Sequence, residues 1–219
     1  KEGRIRGDLL ENYLSSNWLA ITQGVLGLWM VIIATFALST WRRQIKAQKQ
    51  INFIDELTDA IHDFLLSMPT PVNSLRFAKI GIDCLSGIHG EPDDIKHPEA
   101  VAYIKRQGKS TSENIQMQLA SIRPILSKIK SLAAKGQIFG IDNYSECQNA
   151  CIMLECSYNQ IEAFSLMIMN PDLNWNNPVI QQSMDKVLSV DSEHIESNLI
   201  EQNSKFLTFA KQAYSKILK

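Results

Sequence analysis

The side chains able to do chemistry are few and scattered along this sequence. Cys147 and Cys151 stand one helical turn apart, Cys156 follows five residues later, and Cys84 lies far upstream. A thiol pair at that spacing can share a zinc ion, but structural zinc sites need four ligands, usually from C-x₂₋₄-C pairs at turns, and no second pair exists here. Cysteine is also among the most buried residue types, so core packing is the expected role of this group. His62, His89, His97 and His194 are dispersed. His194 falls seven residues after Val187, which on a continuous helix predicts an interior, hydrogen-bonded ring. His89 and His97 flank an acidic loop holding Glu91, Asp93 and Asp94. That loop lacks the alternating oxygen ligands of a calcium site and is expected to be a solvated turn. Phosphate-binding, dinucleotide, zinc-protease and nucleophile-elbow motifs are all missing from the sequence. No residue is nominated as catalytic or as a metal ligand, and no cofactor or small-molecule substrate is indicated.

Charge supplies one further candidate. Between Lys105 and Lys135 stand Lys105, Arg106, Lys109, Arg123, Lys128, Lys130 and Lys135 against the single acid Glu113. Such a stretch can face anionic lipid, nucleic acid or an acidic partner, though a solvated helix face is the expected reading. Stacking residues are nearly missing around it, Tyr103 standing alone, and the whole chain carries a formal charge of −1, so no nucleic-acid partner is expected. Trp175, in an Asn-rich loop, is read either as an anchor for a partner or as a lid over a helix end.

The elements that must position these groups begin with an uncharged run, residues 19–40. Twenty-two helical residues reach roughly 33 Å, enough for a hydrocarbon core of about 30 Å. Trp18 and Trp41 bracket the run where amphipathic rings favour the two interfaces. A signal peptide has a shorter apolar stretch that follows its basic residues, whereas here the apolar stretch is long and Arg42, Arg43, Lys46 and Lys49 come after it. Before it stand Lys1, Arg4 and Arg6, and the chain opens without an initiator Met, which limits any argument from N-terminal charge. The denser downstream block predicts that the C-terminal part is cytoplasmic. Within the run, Ala20 and Gly24 form a small-xxx-small pair, Gly27 lies nearby and Gln23 is the most polar residue. Small residues let two helices approach closely, and an amide can hydrogen-bond across their interface.

Beyond Trp41 every periodic stretch is helical. Ile54, Leu57, Ile61, Phe64 and Met68 make one stripe, continuous with the apolar run until the Pro69-Thr70-Pro71 break. Further helices are predicted from Asn73 to about Ser86 with Leu75, Ile80 and Ile82 apolar, over Ala100–Gln107, from about Ser112 to Ala134 with a stripe from Ile115 to Ala133 and Pro124 as a kink or boundary, and from Asn143 to about Met169. Asn143 and Glu146 are spaced as a capping pair. A last helix starts at Pro178 behind the cap Asn177 and reaches Leu218, with a break near Val190–Ser192.

The expected protein is all-α: a short extracytoplasmic segment (1–17), a transmembrane helix (18–41) and a cytoplasmic bundle of about five helices (42–219). Its expected function is that of a non-enzymatic membrane-anchored interaction module, of a bacterial inner membrane, that binds a partner protein or itself. One alternative is a toxin- or defence-type effector that perturbs the bilayer when its bundle is triggered. The other is a helical hydrolase or metal enzyme with a dispersed His/Cys site.

Overall fold

The computed structural model describes residues 2–86 and 96–218. These form seven α-helices and no strand: α1 (Glu2–Ser67), α2 (Pro69–Asp83), α3 (Pro98–Tyr103), α4 (Lys109–Gly136), α5 (Tyr144–Ile168), α6 (Pro178–Leu188) and α7 (Ser192–Ile217). The all-α class read from periodicity is therefore the fold class of the chain. The acidic loop with His89 lies outside the described residues.

Two compact units emerge, residues 1–49 and 50–219. In the first, α1 carries one stretch long and apolar enough to cross a membrane, and no part of its most apolar 18-residue window is buried. Three of its hydroxyls are satisfied within the helix, Thr22 Oγ1 donating to the Trp18 carbonyl (3.0 Å), Thr35 Oγ1 to the Val31 carbonyl (2.7 Å) and Ser39 Oγ to the Phe36 carbonyl (2.8 Å). Such back-bonding is how a hydroxyl is accommodated where no water is available.

The second unit is a helical bundle organised around α5, which packs most extensively against α4 and α7. The stripe Ile54, Leu57, Ile61, Phe64 and Met68 is buried throughout, as are Ile115, Leu119, Ile122, Leu126, Ile129 and Ala133 of α4. On α5 the buried set includes Leu154, Tyr158, Ile161, Phe164 and Ile168. Serines are interleaved with these apolar side chains and join helices by hydrogen bonds. Ser112 and Ser165 pair at 3.0 Å between α4 and α5, and Gln116 donates to Ser165 at 3.1 Å. Asn198 of α7 donates to Ser157 of α5 at 2.9 Å. Among the described residues no buried side-chain polar atom lacks a partner, so these networks fix helix register without a desolvation penalty.

Helix boundaries differ from the sequence reading in physically informative ways. The Pro69-Pro71 pair occupies the first turn of α2, where a missing N–H costs nothing, so α2 starts four residues before Asn73. Ile80, read as part of its apolar face, is exposed; the buried positions are Val72, Leu75, Ala78 and Ile82, and Ile80 points away from them. Gly108 does not separate two helices but closes a π-helical turn (Ile104–Gly108) joining α3 to α4. A Cβ there would collide with the Ile168 carbonyl, so glycine is required for α4 to approach the end of α5. Pro124 lies inside α4, which continues past it to Gly136. Asn143 caps α5 with left-handed backbone (φ 57°) and makes no side-chain cap bond, so the Asn143–Glu146 capping pair does not form. Asn177 does cap α6, accepting from Val179 N at 2.9 Å. The last helix is broken at Ser189–Asp191, with Asp191 accepting from Glu193 N at 3.1 Å.

One pH-dependent contact ties α1 to α7. The Tyr214 hydroxyl donates to Asp55, and burial followed by that carboxylate pushes its pKa up to about 12. A folded pKa above the unfolded value near 10 means that the stabilisation is complete below pH 10 and disappears as pH rises through about 12. Tyr214→Phe is therefore expected to lose less stability than the wild type between pH 10 and 12, measured by urea unfolding. Equal losses in the two chains would separate Tyr214 from this effect.

Candidate functional site

The surface most distinct from an ordinary soluble helix is the apolar part of α1. Trp18 and Trp41 are 64% and 58% exposed, and Leu26, Leu28, Met30, Val31, Ile33 and Phe36 between them are exposed as well. In water this would be a continuous apolar surface of the kind that marks membrane or protein contact. Ala20 and Gln23 are exposed, and a Cβ added at Gly24 or Gly27 would meet nothing within 4 Å. The small-residue face is thus open along its length. Arg42, Arg43, Lys46 and Lys49 follow on the same helix and are exposed.

The stretch from Lys105 to Lys135 does not make one basic patch. Arg123 pairs with Glu162 at 2.8 Å and Lys130 with Glu155 at 2.6 Å, both acids belonging to α5. Lys128 and Lys135 sit five residues beyond these two, about 140° further round the helix. Lys105, Arg106 and Lys109 are exposed at the π turn and the start of α4. The charge run is divided between bundle-stabilising ion pairs and solvated positions.

The cysteines and histidines are mostly kept apart, His194 and Cys156 sharing one open groove. Cys147 and Cys151 are buried on α5, whereas Cys84 and Cys156 are exposed on other faces. The neighbouring Cys151 thiol and burial both push the Cys147 thiol up. Among the described residues no group of three or more His, Cys, Asp or Glu is placed to hold a metal. His62 is exposed. His194 is exposed too, contrary to the register count from Val187, because the break at Ser189–Asp191 resets the helix and puts Ile195 rather than His194 on the core side. It lines an open groove of about 520 Å³ with Cys156 and Lys186. Trp175 is only 9% exposed and donates to the Pro171 carbonyl at 3.2 Å, so it closes the α5–α6 connection and is not available as a partner anchor.

One polar cluster escaped the sequence reading. His97 Nε2 lies 2.6 Å from Asp185 Oδ1, and Lys96 Nζ 2.6 Å from Asp185 Oδ2. The histidine, then the lysine, hold the Asp185 carboxyl below its ordinary range. This cluster fastens the start of α3 to α6 across 88 residues of sequence, a separation that no local pattern signals.

The class that these features define is an all-α bundle carrying one helix long and apolar enough to span a membrane. No family model, curated protein or solved structure matches the chain at a significant level.

Proposed function

We propose that this chain is a membrane-anchored helical interaction module that assembles with copies of itself through its apolar helix. In this reading residues 18–41 span the bilayer, a bacterial inner membrane by the simple anchor-plus-bundle plan, and the basic block Arg42–Lys49 keeps the bundle cytoplasmic.

 The observation that carries it is the unburied apolar stretch of α1 with its open face of Ala20, Gly24 and Gly27. Helices in lipid associate by close packing of such small residues, and Gln23 supplies an amide able to bond across the pair. Binding rather than catalysis is favoured because Cys147 and Cys151 are buried, and His194 and Cys156, which share a groove, stand on an open surface.

The test is the mass of the detergent-solubilised full-length chain beside its Gly24→Leu variant. A wild-type oligomer that falls apart on substitution is the expected result, since a leucine at this face holds the two backbones apart. Assembly that survives Gly24→Leu would remove the small-residue face from the account. A monomeric wild type would make the span a plain tether and leave a partner protein as the bundle's target.

A further inference from the structure

The bundle has a distinct end where the chain arrives from residue 49. Gln50, the first residue of this unit, donates from its side-chain amide to the Phe139 carbonyl at 3.0 Å. Gly140, Asp142, Lys216 and Ile217 line a shallow hollow with it, so the turn after α4 and the last residues of α7 close the same end. The opposite end is that of α2, whose Arg76 pairs with Glu196 near the start of α7 at 2.9 Å.

The turn at the Gln50 end is firmly held. Phe139 packs on Phe53 with ring centroids 5.2 Å apart, the Tyr144 hydroxyl donates to the Ala133 carbonyl at 2.5 Å, and Gly140 (φ 59°) takes the left-handed conformation that ends the turn. Yet this well-packed turn presents Ile138 at 84% exposure, more than any other large hydrophobic among the described residues. Leu218, just past α7, is 73% exposed. Both stand near exposed lysines in sequence, Lys135 and Lys216. Lys216 is held by Asp142 at 3.0 Å.

Eight residues, 42–49, join Trp41 to Gln50, and four of them are basic. Even fully extended, the nine steps from Trp41 to Gln50 reach no more than about 32 Å. If Trp41 lies at a membrane interface, the Gln50 end is confined close to that interface whatever the orientation of the bundle. Exposed apolar tips tethered within that distance, with Lys135 and the basic block 42–49 close in sequence, match the chemistry of an anionic bilayer surface: the apolar side chains enter the headgroup boundary and the exposed basic groups of that block meet phosphates.

We propose that the Gln50 end of the bundle docks on the anionic bilayer surface, with Ile138 and Leu218 inserted at the headgroup level. The proposal rests on the reading of residues 18–41 as a membrane span. It is tested on the full-length chain in vesicles of phosphatidylcholine and phosphatidylglycerol. The exposed thiols are first removed by Cys84→Ser and Cys156→Ser, and a nitroxide is attached in turn at Ile138→Cys, Phe77→Cys and Ile32→Cys. The unsubstituted double-serine chain reports any labelling of Cys147 or Cys151. Collisions with oxygen report lipid, and collisions with a water-soluble nickel chelate report solvent.

The expected result is a label at position 138 several-fold less accessible to nickel than the one at 77, and readily reached by oxygen. Loss of that difference in vesicles of phosphatidylcholine alone would show that the anionic headgroups contribute. If 32 lies in hydrocarbon while 138 is as nickel-accessible as 77, docking is wrong and the span survives. If 32 is itself open to nickel, the span reading fails and docking with it. If 138 is shielded from both reagents, protein covers it, and the docking proposal gives way to contact with a second copy.

Discussion

An arginine in place of Val31 is expected to move the chain out of the membrane fraction. Val31 lies near the middle of the uncharged run and is exposed on α1. At the centre of a membrane helix an arginine costs about 2.5–3.5 kcal/mol, where a valine contributes roughly −0.3 to −0.6 kcal/mol. The combined change of about 3–4 kcal/mol corresponds to a hundredfold or greater loss in the inserted-to-uninserted ratio, at about 1.4 kcal/mol per tenfold. Alkaline carbonate extraction reads it directly: wild-type chain stays in the pellet and Val31→Arg appears in the supernatant. A wild-type chain that itself washes off would show that the exposed apolar face is covered by protein, and the membrane reading would fall. Val31→Ala, which removes apolar surface without adding charge, is expected to remain in the pellet.

The second large effect lies in the bundle. Phe164→Ala is expected to destabilise it by about 3–5 kcal/mol, the range for a fully buried aromatic whose site cannot collapse. Phe164 is completely buried on α5, the helix that packs most extensively on both α4 and α7. Against a typical total of about 5–15 kcal/mol, such a loss leaves the bundle marginal or unfolded. Chemical denaturation of the detergent-solubilised chain, with Trp18, Trp29 and Trp41 replaced by Phe in both forms and Trp175 fluorescence as the signal, is the measurement. Trp175 suits it because its ring is packed at the α5–α6 connection. A change below about 1 kcal/mol would mean that neighbouring side chains refill the space, and that α5 is not the rigid centre of the bundle. Leu166→Ala, on the exposed side of the same helix, is the control expected to change little.

These two substitutions also separate what was legible locally from what was not. The stripe from Ile54 on α1 to Met68 just past its end and that on α4 from Ile115 to Ala133 could be read directly, because burial on one helix face repeats every three to four residues. The same count failed for His194, since it was carried across the break that the sequence itself places near Val190–Ser192. It failed for Ile80 as well, which is apolar but lies off the face that α2 buries. The capping pair at Asn143 was a spacing without its geometry: left-handed backbone at that residue leaves the side chain without a cap bond. Much of the Lys105–Lys135 run looked like a surface in search of a partner, until Glu155 and Glu162 of α5 were found opposite Lys130 and Arg123.

The candidate site divides along the same line. A membrane helix needs only length, apolarity and flanking residues, all of them properties of one continuous segment, so residues 18–49 could be interpreted without any tertiary information. The His97–Asp185 cluster, the paired serines Ser112 and Ser165, and the exposure of Ile138 at the Gln50 end depend on groups distant in sequence. By itself, then, the sequence determined the helical class, the apolar helix and most of the core stripes, because each follows from short-range periodicity and hydration. Tertiary structure alone decided which charges are paired, which histidines and cysteines stand apart, and which apolar side chains are left facing outward, because those outcomes depend on how helices far apart in the chain pack together.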